Sequence, residues 1–273
     1  MRPTPGPTNP QARLSLNPRR AALLLALVAA IIFCIAVQNY WLGVPALLVC
    51  GGLLLKDEEP ALKRRMGVLL GCVVVLALAD INTGLSNRNF LQLGLPFAAV
   101  VLGPALILRK SDPTVISFAL WPRRFRWVDI LYLVISVPLA YFLLKFYWWV
   151  NPSMPSHWAL PARETAEQTT RLIVGINAVG IWDELFFVNT SFAILRSLFG
   201  FKTANGVQAV LYTCVLYDMA FTGIGPLIVY LFAWTQGSMF EESENLLYVL
   251  LVHLIVDAFL VAAILGAYYP GTP

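Results

Sequence analysis

Long apolar runs, separated by short clusters of charged residues, Pro and Gly, recur from residue 21 to residue 265. A helix needs about 20 such residues to cross about 30 Å of hydrocarbon. The pattern therefore predicts an all-α, polytopic transmembrane helical bundle of eight or nine spans. These are placed at Ala21–Val37, Val44–Leu55 (the shortest), Met66–Asp80, Leu95–Leu108, Val128–Val150, Leu172–Leu195, Val207–Phe221, Leu227–Met239 and Leu246–Leu265. Residues 1–18, rich in Pro, Asn and Arg, read as a disordered cytoplasmic tail. Residues 19–171 supply helices and loops, and residues 172–265 form a core that carries the buried polar groups, all within one membrane domain.

Composition agrees with this. The 273 residues are 59% hydrophobic and only 12% charged, against about 25% charged in soluble domains, and the mean hydropathy is +0.72. With a cytoplasmic N-terminus, 15 of the 19 Lys and Arg fall on the cytoplasmic side and only Arg88, Lys145, Arg163 and Arg171 on the other. That asymmetry is what the positive-inside rule expects of a multi-pass protein of the cell inner (plasma) membrane. The net charge of +4 is then topology and no sign of nucleic-acid binding, although basic loops such as Trp121 to Trp127 can touch anionic lipid. The first apolar run lacks a small-residue cleavage site and reads as an uncleaved span. Cys34, Cys50, Cys72 and Cys214 sit in apolar segments at unpatterned spacings, which points to core or lipid-facing packing, with no disulfide framework. Asp57, Glu58 and Glu59 beside Lys63, Arg64 and Arg65 read as a solvated loop, and His157 as a surface histidine in an outer-side loop.

Ionisable groups inside the spans carry the chemistry, since a bilayer makes them costly to keep without a use. Asp183 and Glu184 are adjacent in the sixth span. About 100° of helical rotation separates neighbours, so the two carboxylates need different partners. Asn177 and Ser191, seven residues either side of Glu184, share its face if the helix is regular. Asp218 lies in the seventh span, and His253 and Asp257 in the ninth are four apart, hence one turn apart on one face. There the carboxylate either fixes the imidazole tautomer or joins a structural hydrogen bond between helices.

Asp183-Glu184-Leu185-Phe186-Phe187-Val188, Cys214-Val215-Leu216-Tyr217-Asp218 and His253-Leu254-Ile255-Val256-Asp257 resemble, in this order, the three motifs of the CAAX-protease and bacteriocin-processing (CPBP, or Abi) family of intramembrane proteases. Those motifs are Glu-Glu-x-x-x-Arg, Phe-x-x-x-His and His-x-x-x-Asn or Asp. The resemblance covers residues 172–265, including a segment similar to the family's loop at Phe240 to Leu247. It implies that Asp183 activates water, that Glu184 supports it, and that Asp218, His253 and Asp257 complete the polar wall. It also implies a divalent metal such as zinc, with Asp218, His253 and Asp183 or Asp257 as ligands and a water in the fourth position. If no metal binds, crowded carboxylates share protons and still serve as acid and base. The first two motifs are altered. Asp183 is one methylene shorter than Glu, and a displacement of about 1 Å can cost on the order of a hundredfold in rate. Val188 stands where the family has Arg, removing the cation that would orient Glu184.

Three functions are left open. The first is an intramembrane endopeptidase that hydrolyses a peptide bond of a membrane-associated peptide or protein. The second is a catalytically inactive protein of the same fold that acts as a binding module or complex subunit. The third, a transporter with a carboxylate proton relay, is weakened because the two halves of the chain show no repeat. Trp182, Phe186, Phe187, Tyr217 and Phe221 are candidates to line an apolar cleft, and Gly223 to Pro226 is expected to form a tight turn before the eighth span.

Overall fold

The structure, a computed structural model, describes residues 14–118, 120–121, 126–152, 166–219 and 223–268, apart from the side chains of Asp218, Ala267 and Tyr268. His157, Trp158, Arg163, Glu164 and Phe221 lie outside the described residues. Among those described the chain is all-helical: α1 (Pro18–Ala36), α2 (Tyr40–Leu55), α3 (Pro60–Ala77), α4 (Asn87–Leu108), α5 (Trp127–Val150), α6 (Ala166–Leu198), α7 (Phe201–Asp218), α8 (Gly225–Ser243) and α9 (Leu246–Tyr268). Each predicted span falls within or across one of them, though many helices start earlier than the apolar pattern does, because their first turns are polar.

Side-chain chemistry sets those starts. The Asn17 and Glu59 side chains accept from Arg20 N and Ala61 N, with Pro18 and Pro60 supplying the first helical residue, where a missing N–H is harmless. The Ser86 hydroxyl accepts from Asn89 N and opens α4. Pro226 opens α8 after a turn in which Gly223 takes φ +64°, packed so closely on Asn151 that a Cβ would clash, so the expected turn is present.

Among the described residues five helices, α1, α4, α5, α6 and α9, are long and apolar enough to cross a membrane. Their outward faces support the reading: on α5, Leu131, Val134, Leu139 and Phe142 are each more than half exposed. Runs of this kind are unstable in water and stable against lipid. The chain is consistent with an integral membrane protein.

At one end of the bundle the helix termini are tied by ion pairs. Arg20 of α1 donates twice to Asp57 after α2 (3.0 and 3.1 Å), Arg64 and Arg65 of α3 converge on Asp112 after α4, and Arg196 of α6 pairs with Glu241 of α8. Asp57 is only 5% exposed. The expectation of a solvated loop is therefore corrected for Asp57 and Arg65, whose partners come from distant parts of the chain, out of reach of a local reading, while Arg64 stays 39% exposed as it meets Asp112.

Helix α6 is the hub. Its central stretch, Glu184–Phe192, is wound as a π-helix, with the Thr190 hydroxyl donating to Leu185 O five residues back (2.8 Å). It packs against α4, α7, α8 and α9. Two apolar cores meet near it. The larger one runs through α1 to α4 and α6 to α8, and a smaller one joins Leu144 and Tyr147 of α5, Leu172 and Ile176 of α6, and Leu260 and Ile264 of α9.

Candidate functional site

Four helices bring one polar cluster together where the two cores meet. Glu184, fully buried, presents Oε1 to three donors: His253 Nδ1 at 2.7 Å, the Gln236 amide at 3.0 Å and the Tyr212 hydroxyl at 3.2 Å. A carboxylate only accepts, so the His253 tautomer with hydrogen on Nδ1 satisfies this contact. The Tyr212 oxygen also lies 3.0 Å from His253 Nδ1. On the other side of the ring, Nε2 faces Asp257 Oδ1 at 3.5 Å. The imidazole is thus held between carboxylates from α6 and its own helix.

Glycine permits this approach. A Cβ at Gly180 would collide with the Asp257 carboxylate and stand 2.9 and 3.0 Å from His253 Cδ2 and Nε2, so only a bare backbone lets α6 meet α9 at this level. Asp183, next to Glu184 but rotated away, is 1% exposed, and among the described residues no group hydrogen-bonds its Oδ1. With His253, Asp257 and Gly180 it lines a cavity of about 210 Å³. The remaining wall is mainly apolar, with Phe90 and Leu93 of α4, Leu144 of α5, Trp182 of α6, Phe232 of α8 and Leu260 of α9. Arg171 and the 82–85 loop also border it, Arg171 donating to Leu85 O (3.0 Å) and pairing with Glu167 (2.6 Å).

The sequence-predicted residues are placed as follows. Asp183, His253 and Asp257 share the cavity wall, and Glu184 stands behind His253 as its anchor. Adjacent carboxylates with different partners were expected, and Glu184 and Asp183 conform. Asp218 is the last residue of α7, and its side chain lies outside the described residues; the residue that α7 places against His253 is Tyr212, six positions earlier. Gln236 was also missed. Asn177 and Ser191 do not serve Glu184: Asn177 donates to Ile173 O, and the π-winding between Glu184 and Ser191 breaks the seven-residue register. Of the aromatic candidates, Trp182 lines the cavity, stacked on Phe97 with ring centroids 5.9 Å apart, whereas Phe186 and Phe187 are fully buried in the larger core and Tyr217 is partly exposed. Cys34, Cys50, Cys72 and Cys214 are buried, and none forms a disulfide.

Of the ligands that the resemblance implies, Asp183, His253 and Asp257 are described, whereas the Asp218 side chain is not. Among the described residues no three His, Cys, Asp or Glu side chains are grouped to hold an ion. His253 already has Nδ1 on Glu184 and Nε2 facing Asp257.

Comparison with protein-family models, with curated proteins and with solved structures finds no match.

Proposed function

We propose that this protein is an intramembrane endopeptidase similar to the CPBP family. The observation that carries the reading is an imidazole clamped between carboxylates on the wall of a mostly apolar cavity, beside an aspartate whose Oδ1 is left without a donor. The cavity suits an apolar stretch of a membrane-associated peptide or protein, and the polar groups suit hydrolysis.

In this mechanism Asp183 takes a proton from water as the water oxygen bonds to the peptide carbonyl carbon. His253, its ring fixed by Glu184 and Tyr212, acts protonated on both nitrogens: Nδ1–H stays on Glu184, and Nε2–H stabilises the charge that develops on the carbonyl oxygen. The C–N bond then breaks, and Asp183 returns the proton to the leaving nitrogen. Asp257 orients the ring from its Nε2 side.

The reading includes nine crossings with a cytoplasmic N-terminus in the inner membrane. The ion pairs support the alternation, because they join the starts of α1, α3 and α5 and the ends of α2, α4, α6 and α8, as strict up-and-down crossing requires; the side is proposed from the Lys and Arg asymmetry alone.

One observation favours a catalytically inactive binding module or complex subunit instead. Val188, where the family has Arg, is fully buried in apolar packing, so no cation orients the acidic pair from that position.

The test compares the N- and C-termini of membrane proteins in cells carrying wild type, Asp183→Asn or His253→Ala at matched abundance. New termini present in wild type and missing from both variants support the peptidase. Identical termini in all three support the binding reading. The metal content of purified wild type and His253→Ala, measured alongside, tests the implied zinc.

A further inference from the structure

Behind the site, on the side of Glu184 away from the cavity, the bundle holds a second set of buried polar side chains that the catalytic reading does not use. Asn189, Asn205, Gln208, Gln236 and Asn245 are each fully buried. Among the described residues, both amide atoms of Asn189 and of Gln208 find no hydrogen-bond partner, nor do Asn205 Oδ1, Gln236 Oε1, Asn245 Nδ2 and the second carboxylate oxygen of Glu184.

Helical register sets these residues in series along the bundle. Asn205, Gln208 and Tyr212 lie at i, i+3 and i+7, one face of α7, and Tyr212 at its far end touches Glu184. Asn189 is five residues from Glu184, one turn of the π-helix. Gln236 donates both to Glu184 and to Val249 O (3.1 Å), and Val249 lies one turn along α9 from Asn245. Asn205 donates to Trp234 O (2.9 Å) and reaches Ser238, packed onto Gly237, where a Cβ would strike its amide. From Tyr212 to Asn205 the helical rise is about 10 Å, directed toward the end of the bundle where Arg196 pairs with Glu241. Left dry, each unpaired group would keep its full desolvation cost. Water bound among them removes that cost, since it serves donors and acceptors alike and occupies buried sites with two or more polar partners.

We propose that these amides hold a file of water molecules running from the ion-paired end of the bundle to Glu184. The cavity would then admit the apolar ligand from one side while water and protons reach the buried carboxylates from the other. The file is independent of the peptidase reading, because any chemistry at Glu184 that uses protons needs such a route.

Hydroxyl-radical footprinting by X-ray radiolysis tests it on the full chain in detergent, without substrate. Radicals generated from bound water modify side chains next to that water even where bulk solvent is excluded. Tyr212 and Phe97 are both fully buried. The expected result is that Tyr212 is modified about tenfold faster than Phe97, in line with ordered water at polar buried sites and dry apolar ones. The Asn189→Leu/Gln208→Leu double variant should lower Tyr212 modification several-fold and leave Phe97 unchanged. Equal slow rates at Tyr212 and Phe97 in wild type overturn the proposal without use of any variant, as does a Tyr212 rate that the double substitution leaves intact. Unchanged membrane-protein termini in the peptidase test would not affect either outcome.

Discussion

Replacing Gly180 with Ala probes the contact on which the site depends. The new methyl would collide with Asp257 and sit within 3.0 Å of the His253 ring, both on α9. Overpacking of this kind costs about 1–3 kcal/mol, while exchanging helical Gly for Ala returns up to about 1 kcal/mol. Because the clash with the Asp257 carboxylate is outright, the cost lies in the upper part of that range, about 2–3 kcal/mol; the net loss is then about 1–2 kcal/mol, which for a chain of this size lowers Tm by about 2–8 °C. Gly71, in α3 with nothing within 4 Å of its would-be Cβ, is the matched control, and Gly71→Ala should hold or raise Tm. Thermal unfolding of the two purified variants in one detergent gives the comparison. The double variant Gly180→Ala/Asp257→Ala should lose less than the two single losses added together, since the main obstacle is gone. If Gly180→Ala melts at or above wild type, as the control should, α6 and α9 do not meet at this distance and the clamp on His253 is wrong.

Other outcomes follow from the same geometry. Tyr212→Phe removes the donor to Glu184 and should cost about 1–2 kcal/mol in thermal unfolding, more than Thr213→Val, whose hydroxyl bonds only within its own helix. Asp112, between Arg64 and Arg65 outside the spans, has its carboxyl drawn down to about 2 by their hydrogen bonds and charge. Its folded pKa lies below the unfolded one, so its contribution is present above pH 4 and disappears as pH falls toward 2. Discounted for water around the part-exposed Arg64, that contribution is about 1–2 kcal/mol. The Tm gap between wild type and Asp112→Asn should be open at pH 6 and closed near pH 2. Val188→Arg, although it restores the family's residue, should destabilise by about 3 kcal/mol or more because it buries an unpaired cation in the larger core, readable as a loss of folded protein in detergent.

The helices were legible because apolar runs of membrane length admit few other structures. Asp183, Glu184, His253 and Asp257 were legible because ionisable groups stand out against such runs. Tyr212 and Gln236 did not stand out: a tyrosine and an uncharged amide are ordinary in membrane helices, and only the face shared by Asn205, Gln208 and Tyr212 hinted at a polar lining. Asp218 drew attention by its charge, and its side chain lies outside the described residues; the described contact from α7 comes from Tyr212. The π-winding of Glu184–Phe192 left no mark in composition, and a register counted at 3.6 residues per turn failed across it. The roles of Asp57 and Asp112 were hidden for a simpler reason: their partners lie 37 and 47–48 residues away.

His253 follows Glu184 by 69 residues. At a synthesis rate of about 5–20 residues per second, the imidazole is added roughly 3–14 s after the carboxylate it will bind. During that interval a growing chain holds α6, then α7 and α8, with the acidic pair in place and no imidazole to meet it. The cluster is completed only when α9 docks, so the order of translation itself delays any chemistry there until the bundle has closed around it.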